Sequence, residues 1–295
     1  MNNALAGKLV VVTGCGYTKF QTVFKNRIDG LPSHDEIVVG GEIYKMNMGA
    51  SATMAFAENG AYVHMVARSK EKLTALQDNM FKKVGTLPEC AAVDLMDGTM
   101  VKEWVSMLRR DLPIYWFHSA GMSAGSYKTE IGNRWLPFRE LTPEHFSTEV
   151  LPLWTTTMNV AKNLWPIFLT QQETRIVLIS SMSTIRSYTS GASHCAATAA
   201  LDRLANVLTL EGYKSSIYVT TLRAGGIDTG TYENKEVQRS IINIADEYGC
   251  DWRSKGLALA SPRAIGELAV AAFSVNAHVT SMNIVSKGQF PHEGS

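Results

Sequence analysis

The chain has 295 residues, of which 45% are hydrophobic and 19% charged, a composition typical of a globular protein with a sizeable core. This composition excludes disordered, collagen-like and coiled-coil chains. The formal charge of +1 provides no broad basic surface, which argues against DNA, RNA or anionic lipid as partners.

Targeting signals and metal motifs are not evident in the sequence. No segment reaches the roughly 18 uninterrupted apolar residues of a membrane span, and the N-terminus lacks the pattern of a secretory signal, so we expect a cytoplasmic protein with no membrane partner. The four cysteines are widely spaced without a CxxC pair, and no His/Asp/Glu cluster has metal-ligand spacing, which predicts plain thiols and no metal. No linker, charge block or repeat divides the chain, so residues 1–295 are predicted to form one domain.

The first part of the chain alternates short apolar strands with helices. Residues 7–13 form a β-branched run that ends at Gly14, which is typical of a buried parallel strand. A helical pattern over 49–59 stops at Gly60, and residues 61–67 again have a strand pattern. The next predicted elements are helices near 70–83 and 100–109 and strands at 89–93 and 114–118.

The remainder of the chain continues this alternation. The predicted elements are long helices over 143–169 and 193–210 and strands at 175–180, 217–222 and 283–285. Strands that alternate with helices predict a parallel sheet covered on both faces, with the ligand at the carboxyl ends of the strands. The predicted fold is therefore α/β, with a doubly wound parallel sheet.

Residues 17–46 interrupt the first connection between strand and helix. Within this insertion, Glu36-Ile-Val-Val and Glu42-Ile-Tyr-Lys flank Gly40-Gly41, a pairing that predicts a two-residue β-hairpin turn. Because long segments in compact domains are often functional, we interpret the insertion as a lid, with a surface decoration or an oligomer contact as the alternative. A lid predicts that joining Gly16 directly to Asn47 leaves the domain folded but speeds ligand dissociation.

Several short motifs lie along these elements. They are Thr13-Gly14, Gly49, Asp94, Ser119-Ala120-Gly121, Ser181 after the strand VLISS, and the segment from Arg223 to Thr229. In this order they resemble the motifs of the short-chain dehydrogenase/reductase superfamily, whose fold is Rossmann-like. The resemblance covers nearly the whole chain apart from residues 17–46.

The resemblance implies a dinucleotide site and a catalytic serine, Ser181. The residues implied to hold the cofactor are Thr13, Gly14, Gly16 and Gly49 at the turn before a pyrophosphate-binding helix, Asp94 beside adenine, Ser119, Ala120 and Gly121 in place of the family's Asn-Ala-Gly, and Thr229 in the segment that closes over nicotinamide.

The active-site helix departs from the family pattern. Thirteen residues after Ser181, where the family has Tyr-x-x-x-Lys, this chain has His194 and Thr198, and the family's supporting asparagine is replaced at Leu153-Trp154. Tyrosine, with an unperturbed pKa of about 10, needs a nearby cation, whereas histidine starts near 6.5. His194 is therefore predicted to transfer the proton while Ser181 binds the substrate oxygen and Thr198 offers a hydroxyl to the ribose or to water. Tyr188 is the alternative donor, or an aromatic wall of the pocket.

Arg68 follows the second strand, where the family holds the ribose of NAD with an acid. An arginine there suits a 2′-phosphate, which predicts NADP (NADPH) as the cofactor, and an ordinary solvated arginine is the alternative. We expect a small-molecule substrate and, because relatives commonly pair through the two long helices, a homo-oligomer (dimer or tetramer).

Two classes of enzyme remain open. The first is an NADP-dependent oxidoreductase that reduces a carbonyl or conjugated alkene of a small or medium apolar metabolite. The second is a non-redox cyclase, isomerase, dehydratase or lyase on the same scaffold that uses Ser181 and His194. A catalytically silent, nucleotide-sensing protein is a further alternative, because a fold does not fix a function.

Overall fold

The computed structural model describes residues 3–19, 35–121, 136–187, 191–229 and 259–286. Its strands are β1 (Leu9–Thr13), β2 (Tyr17–Lys19), β3 (Glu36–Val39), β4 (Glu42–Met46), β5 (Tyr62–Ala67), β6 (Glu89–Ala92), β7 (Ile114–His118), β8 (Thr174–Ser181), β9 (Ile217–Ala224) and β10 (Ser281–Ile284). Its α-helices are α1 (Met48–Glu58), α2 (Lys70–Val84), α3 (Gly98–Met107), α4 (Pro143–Phe168), α5 (Ala192–Gly212) and α6 (Pro262–Ser274).

Seven strands form one sheet in the order β10-β9-β8-β7-β1-β5-β6, and every neighbouring pair is parallel. The chain builds outwards from β1 to β5 and β6, then crosses to the other side of β1 and continues from β7 to β10. The strand order therefore reverses between β1 and β7, the point at which such sheets bind ligands. The predicted doubly wound α/β fold is confirmed.

Helices cover both faces of this sheet. Alternate residues of β1 point to opposite faces: Val10 belongs to a core cluster that includes Phe56 of α1 and Ile265 of α6. Val11 belongs to a second cluster that includes Trp104 of α3, and residues of α4 and α5 complete that cluster. None of the helices within the described ranges is long and apolar enough to span a membrane.

The insertion is a small antiparallel sheet in the order β2-β4-β3. The predicted hairpin is confirmed: β3 and β4 pair through a turn in which Gly40 and Gly41 have φ of 60° and 84°, values that suit a two-residue turn of type I′. The sequence did not predict β2, whose residue Tyr17 pairs with Met46 at the end of β4. This pairing brings the two ends of the insertion together beside the first turn.

Helix α6 is a second element that the sequence analysis missed. It begins with Pro262 after Ser261, whose side chain accepts a hydrogen bond from Arg263 N, a common start signal. A Cβ atom at Gly266 would lie 2.8 Å from the Cβ of Ala55, so this glycine allows α6 to pack closely against α1.

Candidate functional site

The parallel sheet brings most of the predicted site residues to its carboxyl edge. Thr13 ends β1, Arg68 follows β5, Asp94 follows β6, Ser119 to Gly121 follow β7, Ser181 ends β8, Thr229 follows β9, and His194 lies in the first turn of α5. Tyr188 lies outside the described residues.

The turn after β1 packs directly against the turn after β7. Gly14 has φ of 97°, and a Cβ atom there would lie 2.6 Å from the backbone nitrogen of Ala120. A Cβ atom at Gly49 would lie 2.6 Å from Ser119 Oγ and 2.7 Å from the carbonyl oxygen of Gly14. Neither position accepts a side chain, so the two glycines set how closely α1 approaches the sheet.

Asn47 fastens this turn across the insertion. Its Oδ1 accepts hydrogen bonds from Gly16 N (3.1 Å) and Ala50 N (2.9 Å), and its Nδ2 donates to Gly14 O (2.8 Å). Asn47 is thus both the N-cap of α1 and the bridge that closes the turn in place of a glycine. Asn47 is not among the predicted site residues, although asparagine just before a helical run is a recognised N-cap signal.

A buried hydrogen-bond chain lies beneath the turn. Trp116 Nε1 donates to Thr13 Oγ1 (3.0 Å), which is 2.7 Å from His118 Nδ1. On the other side of the ring, His118 Nε2 is 2.9 Å from Thr157 Oγ1, and the Thr157 hydroxyl donates to Leu153 O (2.7 Å). Thr13 is fully buried, so its side chain supports the turn from below rather than pointing towards a ligand.

These hydrogen bonds fix the tautomer of His118, and its burial fixes its charge. Because Thr157 donates to Leu153, it accepts from His118 Nε2, which leaves Nδ1 to accept from the Thr13 hydroxyl. Burial lowers the pKa of His118 from 6.5 to about 3, because the protonated ring would lose its hydration. The imidazole is therefore neutral and structural.

A pH dependence of stability follows from this burial. Since the unfolded chain binds a proton near pH 6.5 and folded His118 only near pH 3, its contribution is complete above pH 6.5 and is lost as the pH falls towards 3. Urea unfolding measures how far the free energy of unfolding falls between about pH 7 and about pH 5. This fall should be about 1–2 kcal/mol smaller in His118→Gln than in the parent. Identical losses in the two proteins would contradict the assignment.

Ser183 and Thr198 connect the Ser181 side chain to the backbone of His194 by hydrogen bonds. Ser181 Oγ accepts a hydrogen bond from Ser183 N (3.1 Å), and Ser183 Oγ lies 2.9 Å from Thr198 Oγ1. Thr198 in turn donates to the carbonyl oxygen of His194 (2.7 Å), one helical turn earlier. Thr198 is fully buried whereas His194 is half-buried, so the two side chains of the predicted pair differ in their access to a ligand.

Helix α4 has no amide side chain at the register of the family's asparagine, where Leu153 and Trp154 stand. Leu153 is buried, and its Cα would lie 2.7 Å from a Cβ atom at Gly121, which has φ of 83°. Gly121 therefore allows α4 to pack against the turn after β7. Trp154, the next residue, is 41% exposed.

The edge around β5 and β6 presents both signs of charge. Arg68 is exposed and precedes Ser69, whose side chain accepts from Lys72 N at the start of α2. Asp94 is half-buried, and its Oδ1 accepts a hydrogen bond from Met96 N (3.0 Å). A guanidinium and a carboxylate at the ends of neighbouring strands form a polar rim beside the glycine turn.

The described part of the insertion is attached to the main domain by buried polar contacts. Asp35 Oδ1 accepts from Ser51 Oγ in α1 (2.6 Å), while Oδ2 accepts from Ser261 Oγ (2.6 Å) and Arg263 N (2.9 Å) at the start of α6. Asp35 is 3% exposed. Such contacts are typical of an element that is folded onto its domain, and the role of the insertion as a lid stays a prediction.

Comparison with known proteins gives a family match and a set of similar folds. A family model described as short chain dehydrogenase matches residues 38–240. No curated protein sequence matches the chain.

Within the described residues, no group of three or more His, Cys, Asp or Glu is placed to hold a metal ion.

Several solved structures are similar over almost their whole length. A variant of actinorhodin polyketide ketoreductase with NADPH is 17% identical, with 97% of this chain and 98% of that chain covered and a TM-score of 0.71. An NADPH-bound short-chain oxidoreductase of Pseudomonas aeruginosa PAO1, described as containing an atypical catalytic center, is 18% identical (95% and 96% covered, TM-score 0.69). L-sorbose reductase of Gluconobacter frateurii, complexed with NADPH and L-sorbose, is 19% identical (97% and 98% covered, TM-score 0.67). At these identities the likeness shows the fold.

Proposed function

The chain belongs to the short-chain dehydrogenase family, and on this premise we propose that it is an NADP-dependent oxidoreductase. Its proposed substrate is a carbonyl or conjugated alkene of a small or medium apolar metabolite. The observation that carries the proposal is the placement of Ser181 and half-buried His194 at the same sheet edge as the glycine turn. NADPH or NADP in several structures of the same fold supports the choice of cofactor.

The donor set at this edge suits a dinucleotide phosphate. The N-terminus of α1, which carries the positive end of the helix dipole and includes Gly49, packs against the turn at Gly14. We assign Arg68 to the 2′-phosphate and Asp94 to the adenine side, because they lie at the ends of β5 and β6. When bound, NADPH supplies a hydride to the substrate.

Ser181 and His194 complete the reduction in this proposal. Ser181 Oγ accepts from Ser183 N, which leaves its own O–H to donate to the substrate oxygen as negative charge develops there. His194 donates a proton to that oxygen. For a carbonyl substrate, the carbon gains the hydride and the oxygen gains the proton, which gives an alcohol.

Thr198 receives a different role from the one expected from the sequence. Its hydroxyl is buried, donates to His194 O and lies beside Ser183 Oγ. We therefore propose that Thr198 and Ser183 position the two reacting side chains, and that Thr198 does not reach the ribose.

One observation favours the non-redox alternative. Asn47 occupies the amides of Gly16 and Ala50 at the turn where a pyrophosphate would lie. The family's tyrosine and lysine are also replaced. A cyclase, isomerase, dehydratase or lyase that uses Ser181 and His194 therefore remains the second candidate.

An assay of NADPH consumption separates these candidates. The purified protein is mixed with NADPH and a panel of aldehydes, ketones and enones, and both NADPH absorbance and products are followed. The proposal predicts that at least one compound is reduced with loss of one NADPH per product. A product formed at an unchanged oxidation state without NADPH loss would instead establish the non-redox candidate.

The role of Arg68 predicts a preference for NADPH over NADH. Because the charged hydrogen bonds of a guanidinium to a phosphate are worth about 1.5–3 kcal/mol, Arg68→Ala should raise the NADPH dissociation constant by roughly 10- to 100-fold and leave that of NADH unchanged. Lys70→Ala, which removes an exposed basic side chain two residues later, is the matched control and should retain the preference. Calorimetry measures the dissociation constants of both cofactors for all three proteins, and equal affinity of the parent for NADPH and NADH would remove Arg68 from the site.

A further inference from the structure

A buried ion pair joins the insertion to the segment after β9. Lys45 Nζ of β4 contacts Asp228 Oδ1, and the two side chains are only 1% and 6% exposed. The paired residues are 183 positions apart in sequence. Because two charges taken out of water carry a desolvation cost, a buried pair is weak evidence of stabilisation, and another role is expected for it.

Asp228 lies in a segment that is also held by backbone hydrogen bonds to Ala260 and Ile284. Gly225 N donates to Ile284 O (2.8 Å), Ala260 N donates to Gly226 O (2.9 Å), and Asp228 N donates to Ala260 O (2.9 Å). Thr229, the residue assigned to the cofactor, follows directly. The ion pair therefore fixes the end of this segment that lies next to Thr229.

Lys45 is equally constrained on its own side. In β4 it pairs with Thr18 of β2 and Glu36 of β3, so its backbone is held between two strands. Two residues later the chain reaches Asn47, which closes the glycine turn before α1. A rigid strand thus connects the turn after β1 with the segment after β9, two parts of the same sheet edge.

We infer that Lys45 is a positioning residue for the cofactor, which acts by holding Asp228 and thereby the segment 226–229 in place. This inference rests on the proposed function, in which Thr229 contacts the cofactor. It gives the insertion a defined role, because the insertion supplies the cation that holds segment 226–229 in place.

Lys45→Met tests the inference, since it removes the charge and keeps an unbranched side chain. Arg175→Met is the matched control: Arg175 is also a buried cation, with its side chain 8% exposed, but it lies at the opposite end of β8 and donates to carbonyls near the end of α6. Asp228→Asn removes the other charge of the pair and retains the size of the side chain. It is a second test variant, and it replaces Lys45→Met if that variant does not fold.

Two readouts are measured on variants shown to be folded by circular dichroism. The first is NADPH dissociation, from nicotinamide fluorescence, where Lys45→Met should weaken binding by roughly 3- to 30-fold, mainly through faster release, and Arg175→Met should not. The second is amide hydrogen exchange of residues 225–229, which should be faster in Lys45→Met than in the parent and unchanged in Arg175→Met.

The outcomes separate this inference from the proposed function. Unchanged exchange of residues 225–229 in folded Lys45→Met, or equal weakening of NADPH binding by Arg175→Met, would overturn the positioning role. A parent protein that binds no NADPH would overturn the proposed cofactor and the cofactor-positioning role with it. In that case the exchange comparison still decides whether Lys45 holds the segment.

Discussion

Replacement of His194 by alanine is expected to lower turnover by about 10²- to 10⁴-fold, the usual contribution of a positioned proton donor. His194 lies in the first turn of α5, half-buried at the ligand-binding edge, and Thr198 bonds to its carbonyl oxygen. The measurement is NADPH oxidation with the compound that the parent reduces. If His194 acts in proton transfer and not in substrate binding, the effect falls on kcat more than on KM.

Cys195→Ala is the matched control for His194→Ala. Cys195 is the next residue of α5, is also half-buried, and points about 100° away around the helix. It should retain parental turnover within a few-fold. Near-parental turnover in His194→Ala would contradict its role and direct attention to Tyr188.

Excision of residues 17–46, with Gly16 joined to Asn47, is expected to destabilise the whole domain. The deletion removes Lys45 from Asp228 and Asp35 from its partners in α1 and α6. Breaking one buried pair by removing a partner costs about 3–5 kcal/mol, a large share of the roughly 5–15 kcal/mol that keeps a typical protein folded. From these contacts we expect the shortened chain to be strongly destabilised, whereas the lid interpretation predicts that it stays folded.

Thermal unfolding of the shortened chain measures this effect. The midpoint should fall by about 10 °C or more, or the protein should fail to accumulate in soluble form. Val38→Thr and Ile43→Thr, which change side chains of the same small sheet that are 67% and 49% exposed, should alter stability by less than about 0.5 kcal/mol. A shortened chain with parental stability would show that the buried contacts of the insertion are dispensable.

Local sequence patterns predicted most of the fold, because buried parallel strands and amphipathic helices have distinct periodicities. The strand at 114–118 and the helix that begins at 143 match the structure in these bounds. The hairpin was predicted because Gly40-Gly41 is a turn signal in itself. β2 was missed because three residues carry too little pattern, and α6 was missed although Ser261-Pro262 is a start signal.

The candidate site was less predictable, because its contacts join residues distant in sequence. The motifs predict that Ser181 and His194 lie at the carboxyl edge of the sheet, where the structure has them, but motifs alone do not show that Thr198 is buried against Ser183. The pairing of Lys45 with Asp228 depends on how the insertion folds back, and no local signal marks it. No motif marks His118, to which the structure gives hydroxyl partners on both ring nitrogens.

Titration of the parent protein with NADPH tests the central claim most directly, because the oxidoreductase, the role of Arg68 and the cofactor-positioning role of Lys45 all require this cofactor. The fluorescence of the reduced nicotinamide reports binding without knowledge of the substrate. An NADP-dependent enzyme should give a saturable change with NADPH and weaker binding of NADH. No binding of either cofactor by folded protein would contradict the account and leave the non-redox enzyme as the better explanation of Ser181 and His194.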